Sequence, residues 1–568
     1  MSWFRRERPA PREVVPPDPV ALVRAYHAAS THHHHRYAFG PGELDWATQP
    51  DPFRRYVGAP SVQLELVEPG EAPGDEPRYE PAFCAGEVPP AELSARSIAQ
   101  LFFDALALSA AKRAGDAHWY LRCNPSSGNL HPTEGWLISA PLEGLCDTAF
   151  VAHYAPRAHA LEIRARIPAG AWSELAAGLG PGACFVALTT IHWREAWKYG
   201  ERAFRYCQHD VGHALGALAV AAAGLGWRAH VLDDLGSDEV GALLGVNEQR
   251  GPFAETPEVL VALGPAPADG SAWRPVAPSA QALRAASVGL RVGIANELSS
   301  GWVDWPAIEA VHAATRKPRS AGSHTLGASP RLSALAPERE PIALRRIVRG
   351  RRSAVAFDAR TGTTADALWQ ALARTTPREG AGLHDLAPFD PLVDLALFVH
   401  RVEGLEAGLY LHLRDPRRAE RWRAVCALAR DATRVEQAGE LEVWRLRSGD
   451  FRAHARSVSC HQEIAADGCF ALAMLAEFDG QLASRGAWMY PRLYWECGWI
   501  GQMLYLEAEA LGLRATGIGC FFDDALHTLL GLQDATFRSL YHFTVGGALE
   551  DPRITSEAPY AMRPADGP

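Results

Sequence analysis

Apolar positions along this chain follow two periods, and each period returns in the second half. From Leu93 to Arg113, residues Ile98, Leu101, Phe102, Ala105, Leu106 and Leu108 recur at spacings that predict one amphipathic helix. Short apolar runs then predict strands at Trp136–Ile138, Ala149–Tyr154, Ala160–Ile163 and Cys184–Thr189, with a turn at Pro156-Arg157 between the second and third. The longest apolar run, Val211 to Trp227, contains His213 and several glycines and is shorter than a membrane span. It predicts a buried helix ending at Gly226, and Val259–Gly264 predicts a buried strand that closes the unit.

The same unit then recurs. Asp210-x-Gly212 and its helix, ending Gly224-Leu225-Gly226-Trp227-Arg228-Ala229, align with Glu496-x-Gly498 and a helix ending Ala510-Leu511-Gly512-Leu513-Arg514-Ala515. The offset of 286 still holds for Leu243-Leu244-Gly245-Val246 against Leu529-Leu530-Gly531-Leu532, and the closing strand returns near His542–Gly546 with a small shift. A period this long marks a duplicated domain, and two copies on one chain suggest a homodimer fused into a pseudo-dimer. The expected organisation is an N-terminal extension over 1–92 packed on the first domain, copy one over 93–316, a Pro- and Ala-rich linker over 317–340, and copy two over 341–568.

Composition narrows the class. At 568 residues the chain is too long for one core. Its 56 basic against 66 acidic residues, a net charge of −10, argue against a nucleic-acid surface. The N-terminus carries charge without an apolar segment behind it, so no signal peptide is expected. Ten scattered cysteines without a C-x-x-C pair suggest neither a disulfide framework nor a zinc pattern, which fits a reducing cytoplasm. The run His32–His35 predicts adventitious metal binding at most. His209 and His213 share a helix face, but their counterparts are Trp495 and Trp499, so no metal site is expected.

Two stretches carry candidate chemistry. In Arg122-Cys123-Asn124-Pro125-Ser126-Ser127-Gly128-Asn129-Leu130-His131-Pro132, a preset turn, two hydroxyls and Gly128-Asn129 build a tight loop that exposes backbone N–H groups. Read alone, it is either a connecting turn or the seat of a planar, polar-edged ligand. Copy two opens with Arg349-Gly350-Arg351-Arg352-Ser353, where paired guanidiniums beside a hydroxyl suit a phosphate or form a solvated basic turn.

Together with the Gly-rich Thr516-Gly517-Ile518-Gly519 after a long helix, these stretches resemble the nitroreductase-like flavoproteins from about residue 93 onward. Within them, copy one is similar to the SagB-type azoline-oxidising dehydrogenases of thiazole/oxazole peptide pathways. That likeness rests on Pro125–Gly128 with Pro132, His153-Tyr154-x-Pro156, and Trp197-Lys198-Tyr199-Gly200 followed by Arg202 and Arg205. The segment Leu44–Pro50 also resembles the longer N-terminal form of such tandem proteins. The resemblance implies a mixed α+β fold in which each copy has a mostly antiparallel sheet flanked by helices.

It also implies FMN, bound between a loop from one copy and a phosphate segment from the other. Here the loop is well formed only in copy one and the Arg-Arg-Ser segment only in copy two, while copy one offers at most Arg96-Ser97 as a phosphate segment. One composite site is therefore expected, and one FMN per chain, held by Arg122, Asn124, Pro125, Ser126, Ser127, Gly128, Asn129, Arg351, Arg352, Ser353, Thr516, Gly517, Ile518 and Gly519, with Arg553 as a second phosphate grip. Lys198 and Tyr199 match the pair that assists proton removal during hydride transfer in that branch. Substrate readings stay open: azoline-type dehydrogenation of a modified peptide, NAD(P)H-dependent reduction of a nitro, quinone or enone acceptor, flavin-consuming or dehalogenating chemistry on the same scaffold, or a flavin- or peptide-binding partner without turnover. A monomeric chain is expected, because the dimer is already intramolecular.

Overall fold

The computed structural model describes residues 18–67, 76–84, 86–265, 273, 275–320, 332–333, 342–378, 386 and 390–561. Most of the expected linker, 321–331 and 334–340, lies outside them. The first half runs α1 (Pro19–Ala29), β1 (Ser61–Gln63), α2 (Ala95–Ala105), β2 (Leu108–Ala114), β3 (Ala117–Arg122), β4 (Thr133–Ser139), β5 (Ala149–Ala155), β6 (Ala160–Ile167) and β7 (Cys184–Thr190). It continues through α3 (His192–Tyr199), α4 (Ala203–Gly224), β8 (Trp227–Val231), α5 (Ser237–Leu244) and β9 (Thr256–Pro265). The second half contains α6 (Leu344–Gly350), β10 (Val393–Val399), β11 (Gly408–Leu413), β12 (Thr433–Arg434), β13 (Glu442–Ser448) and β14 (Phe470–Glu477). It ends with α7 (Met489–Ala510), β15 (Arg514–Ile518), α8 (Asp523–Leu530), β16 (Phe537–Gly546) and β17 (Thr555–Glu557).

The strands form two seven-stranded antiparallel sheets with one plan: β1-β6-β5-β4-β7-β9-β8 and β12-β13-β11-β10-β14-β16-β15. The six strands from β6 to β8 have the same order and connections as those from β13 to β15; the edge strands differ, β1 coming from the N-terminal segment and β12 from the chain between β11 and β13. The fold is thus a duplicated α+β unit with each antiparallel sheet flanked by helices. One local expectation differs: the helix begun near Leu93 stops at Ala105, and Leu108–Arg113 lies in β2. Both Leu106 and Ala107 N–H close on the Phe102 carbonyl, and β3 then supplies cross-strand partners for Leu108 and Ala110–Ala114, with a bulge at Ser109. Leu108 fits either period, so the pattern alone did not mark the change.

Helices α4 and α7, each of 22 residues, cross at the centre of the molecule. Both are buried on nearly every face, so their polar residues, among them Arg205, Asp210, Arg492 and Glu507, are held in ion pairs or hydrogen bonds. The crossing point is the repeated glycine. A Cβ on Gly212 would lie 2.2 Å from the Trp495 carbonyl oxygen, and one on Gly498 would lie 2.2 Å from that of His209. The backbones therefore meet without side chains between them, which sets the spacing of the two sheets.

Buried ion pairs join the halves across this crossing: Arg202 and Arg205 reach Asp523 at 3.2 and 2.8 Å, and Arg345 reaches Asp104 at 2.9 Å. The N-terminal segment packs on both halves rather than on the first alone. It contributes β1 to the first sheet, while Arg24 pairs with Asp479, His27 meets the Tyr490 hydroxyl at 3.2 Å and Tyr79 donates to Glu507 at 2.8 Å. In return, β17 from the far end of the chain pairs with β2.

Gly212→Ala should force the two backbones apart and lower stability by about 1–3 kcal/mol, the usual range for overpacking a tight contact. Chemical denaturation of the full chain checks this, and unchanged stability would show that the crossing has slack.

Candidate functional site

The loop between β3 and β4 has the shape its residues dictate. Gly128, Asn129 and His131 have φ values of 59°, 60° and 52°, a region costly for side-chain residues unless local bonds compensate. Asn129 supplies them, donating Nδ2–H to the Tyr120 carbonyl at 2.9 Å and placing Oδ1 2.9 Å from His131 Nε2. The Ser126 hydroxyl accepts from the His131 amide at 2.8 Å. Beneath the loop, Asp210 of α4 accepts from the Ser127 amide at 3.1 Å and from its hydroxyl at 3.3 Å. The helix at the crossing therefore positions the loop directly.

Four of the expected parts meet there. At the end of α3, Tyr199 and Lys198 lie against the loop: a Cβ on Gly128 would fall 2.6 Å from Tyr199 Oη and 3.2 Å from Lys198 Nζ. Tyr199 in turn contacts Tyr206, with ring centroids 4.5 Å apart, and Gly519 passes so close to Tyr206 that a Cβ would be 2.0 Å from its ring. On the other flank, Arg351 donates to the carbonyls of Cys123 at 2.8 Å and Arg122 at 3.0 Å, so the phosphate-type segment of copy two is bound to the root of the copy-one loop. Ser353 bridges to Ala515, and its hydroxyl lies 2.9 Å from Tyr505 Oη, which accepts the Gly517 amide at 3.0 Å. Thr516 hydrogen-bonds the Ala354 carbonyl.

Other expected residues point elsewhere. The Arg122 side chain donates to the carbonyls of Pro52 and Thr133, so only its backbone meets Arg351. Arg352 is bound to the Ser109 carbonyl at 3.0 Å and to the carbonyls of Arg349 and Arg351. Ile518 is a core residue paired with His542, and Arg553 is at the surface, forked onto Asp551 at 2.7 and 2.9 Å. Arg202 and Arg205, part of the family likeness, pin the halves, with Arg202 also donating to the Gly519 carbonyl at 3.1 Å.

Several groups escaped the sequence reading. Tyr505 and Tyr541 line the second-copy side, and His213 Nε2 lies 3.2 Å from Tyr541 Oη. Glu195, one turn before Lys198, is fully buried, with Asp210 close by. Burial, and then the nearby Asp210, push its titration well above the ordinary carboxylate range. Burial also lifts Asp210 to about 7, against the opposing hydrogen bonds of Ser126 and Ser127. The one available signal was the acidic position shared by the two copies, Asp210 and Glu496.

A polar, partly anionic ligand fits these residues. Asn124 Oδ1 and Arg351 Nη1 are buried without partners on either side of the seam. Buried polar atoms are rarely left unsatisfied, so two such atoms at one seam suit a ligand that supplies the missing hydrogen bonds.

The opposite corner is built differently. Where the first corner has Tyr206, Gly517 and Gly519, the repeat places Arg492, Val231 and Asp233. Arg492 lies between Trp488 and Trp495, 4.6 and 4.8 Å from their rings, and pairs with Asp233 at 2.7 Å. Glu496, the counterpart of Asp210, takes the Leu392 and Val393 amides together with Arg414. The stretch expected to lack a loop in copy two falls largely outside the described residues. The Arg96-Ser97 pair serves α2 instead, with Arg96 bound to Glu65 and Ser97 in a capping box with Ser94.

Residues 416–547 match the family model described as the nitroreductase family. A solved structure named as a nitroreductase of Anabaena variabilis shares 21% identity over 93% of this chain and 99% of its own, with a TM-score of 0.66. The E. coli microcin synthetase McbBCD complex with truncated pro-MccB17 shares 16% identity over 35% of this chain and 69% of its own, with a TM-score of 0.26. A Ralstonia eutropha structure also named as a nitroreductase shares 17% identity over 40% and 94%, with a TM-score of 0.25. No curated protein matches the sequence. The first structure shows the same fold over nearly all of both chains.

The buried Asp210 generates a pH dependence. Its folded value of about 7 lies above the unfolded carboxylate value, so its ionisation opposes folding. The stability associated with its protonated form is complete below about pH 4 and lost as pH rises through 7. Asp210→Asn, which still accepts from Ser127, should reduce the loss of unfolding free energy between pH 4 and pH 8 by a few kcal/mol on the order set by linkage. Denaturant titrations at several pH values check this, and parallel pH curves for the two proteins would contradict it.

Proposed function

We propose that this chain is an FMN-dependent oxidoreductase with one composite flavin site, formed by the Asn124–Asn129 loop of copy one and the Arg351–Ser353 and Thr516–Gly519 segments of copy two. The nitroreductase-family match over residues 416–547 supports an oxidoreductase. The observation that carries the composite reading is the bond from Arg351 to the Cys123 and Arg122 carbonyls, flanked by unpartnered Arg351 Nη1 and Asn124 Oδ1. The Arg492–Asp233 pair at the opposite corner supports a stoichiometry of one. In this reading residues 93–316 and 341–568 act as the two copies, joined by 317–340 and bridged by 1–92.

Bound FMN would supply two-electron hydride chemistry. Arg351 and Ser353 would hold its phosphate, and Asn124 with the loop amides its polar edge. Excluding water falls to Tyr199, Tyr206 and Tyr505. Lys198 Nζ and Tyr199 Oη, both against Gly128, are the groups placed to move a proton at the reacting face. That placement favours azoline-type dehydrogenation of a modified peptide over reduction of a nitro, quinone or enone acceptor by NAD(P)H.

Purified chain should be yellow and release one FMN per chain; two would show that the Arg492 corner also binds, and none after FMN addition would overturn the reading. Arg351→Ala should raise the Kd for FMN by at least about tenfold, as expected for losing a charged hydrogen-bond donor. Lys198→Ala should keep FMN but lose turnover of an azoline-containing peptide, and normal turnover in that variant would remove Lys198 from the chemistry.

A further inference from the structure

Cys460 and Cys520 come from segments 60 residues apart, yet their sulfur atoms lie 2.9 Å from each other. Both residues are half-buried, so small solutes can reach them. The surrounding backbone is specialised. Cys460 and His461 both have positive φ, 54° and 60°, and the Gln462 amide group ties the turn down by donating to the Ser459 carbonyl at 2.9 Å and the Cys520 carbonyl at 3.0 Å. Left-handed backbone at two consecutive side-chain residues is unfavourable, and here it aims the Cys460 thiol at Cys520.

The N-terminal segment completes the cluster. His32 Nδ1 accepts the Ala38 amide at 2.9 Å, which leaves the ring proton on Nε2 and available to the Cys520 sulfur, with which His32 hydrogen-bonds. The groups that face the pair are His32, Tyr37, Arg202, Tyr206 and Asp523. The hydrogen bond from Cys460, reinforced by His32 and Arg202, draws the Cys520 thiol below the ordinary thiol range against its burial, while the same bond pushes the Cys460 thiol upward. One sulfur is thus set up as the thiolate and the other as the thiol that resolves it. Neither belongs to the flavin corner, although Gly519, which packs on Tyr206, immediately precedes Cys520.

We propose that Cys460 and Cys520 form a redox-active dithiol that a peroxide-class oxidant converts to an intramolecular disulfide. The Cys520 thiolate attacks one peroxide oxygen, the O–O bond breaks, and after protonation of the leaving oxygen one water departs. The resulting Cys520 sulfenic acid is attacked by Cys460, the S–O bond breaks, and the hydroxyl leaves as a second water with the Cys460 proton. Two thiols are oxidised by two electrons, and one hydrogen peroxide is reduced to two waters. The bond would tie the Ser459–Gln462 turn covalently to the end of the Thr516–Gly519 segment, a consequence that does not depend on the flavin reading.

The test uses the full chain as purified, reduced and then treated with hydrogen peroxide, with alkylation of remaining thiols and peptide mapping by mass. Wild type should lose two hydrogens, confined to a cross-linked peptide pair containing Cys460 and Cys520. C460S should instead accumulate a dimedone-trappable sulfenic acid at Cys520, and C520S should leave Cys460 unmodified under the same treatment. In the reduced protein at pH 6, iodoacetamide should modify Cys520 at least about tenfold faster than Cys84, the half-buried thiol outside the pair, and H32A should narrow that ratio. Absence of the cross-link, trapping at Cys460 in C520S, or equal alkylation of Cys84 and Cys520 would each overturn the proposal.

Discussion

Everything in this molecule is spaced by the contact between two glycines. Gly212 and Gly498 let α4 and α7 cross with backbone against backbone, each Cα facing a carbonyl that a Cβ would strike. A side chain there would separate the sheets, and the ion pairs from Arg202 and Arg205 to Asp523 would stretch with them. The same helices carry Asp210, which holds the copy-one loop, and Tyr505, which holds the copy-two segment. Helix spacing and site geometry are therefore one constraint.

Duplication makes two corners geometrically available, and the chain has treated them oppositely. At one, Gly517 and Gly519 let Tyr541 and Tyr206 pack directly on the backbone, and Asn124 Oδ1 and Arg351 Nη1 are buried without partners. At the other, an arginine clamped between two tryptophans and an aspartate fills the equivalent positions and is mutually satisfied. Unsatisfied buried groups are costly, and the second corner avoids that cost. The closed corner contributes packing instead. Such a division of labour is open to a fused dimer and closed to a symmetric one, in which both corners must carry the same residues.

Much of the architecture could be read from residue order, because periodicity and turn chemistry are local. The runs at Ala149–Tyr154, Ala160–Ile163, Cys184–Thr189 and Val259–Gly264 all lie in strands, and the helix ending before Gly226 lies where its pattern placed it. The reading failed at Leu108, where helix and strand periods agree over a few residues and the hairpin partner decided the matter. Residues whose roles depend on neighbours far along the chain were harder. Arg122 and Arg553 looked like anion grips, but the first turns its guanidinium to carbonyls and the second pairs with Asp551 in water. Glu195 gave no signal, since a single glutamate in a helix is ordinarily solvated.

By itself the sequence determined the class of elements in each half, the internal likeness of the two halves, and where the Asn124–Asn129 loop and the Arg351–Ser353 segment stand along the chain. These follow from local spacing and from comparing the chain with itself at an offset of 286. Only the tertiary structure decided that Arg351 reaches the Cys123 carbonyl, that Lys198 and Tyr199 lie on Gly128, and that Cys460 meets Cys520. The reason is physical: contacts across long stretches of chain are selected by how buried helices pack, and no residue's identity states which distant group the packing will bring to it.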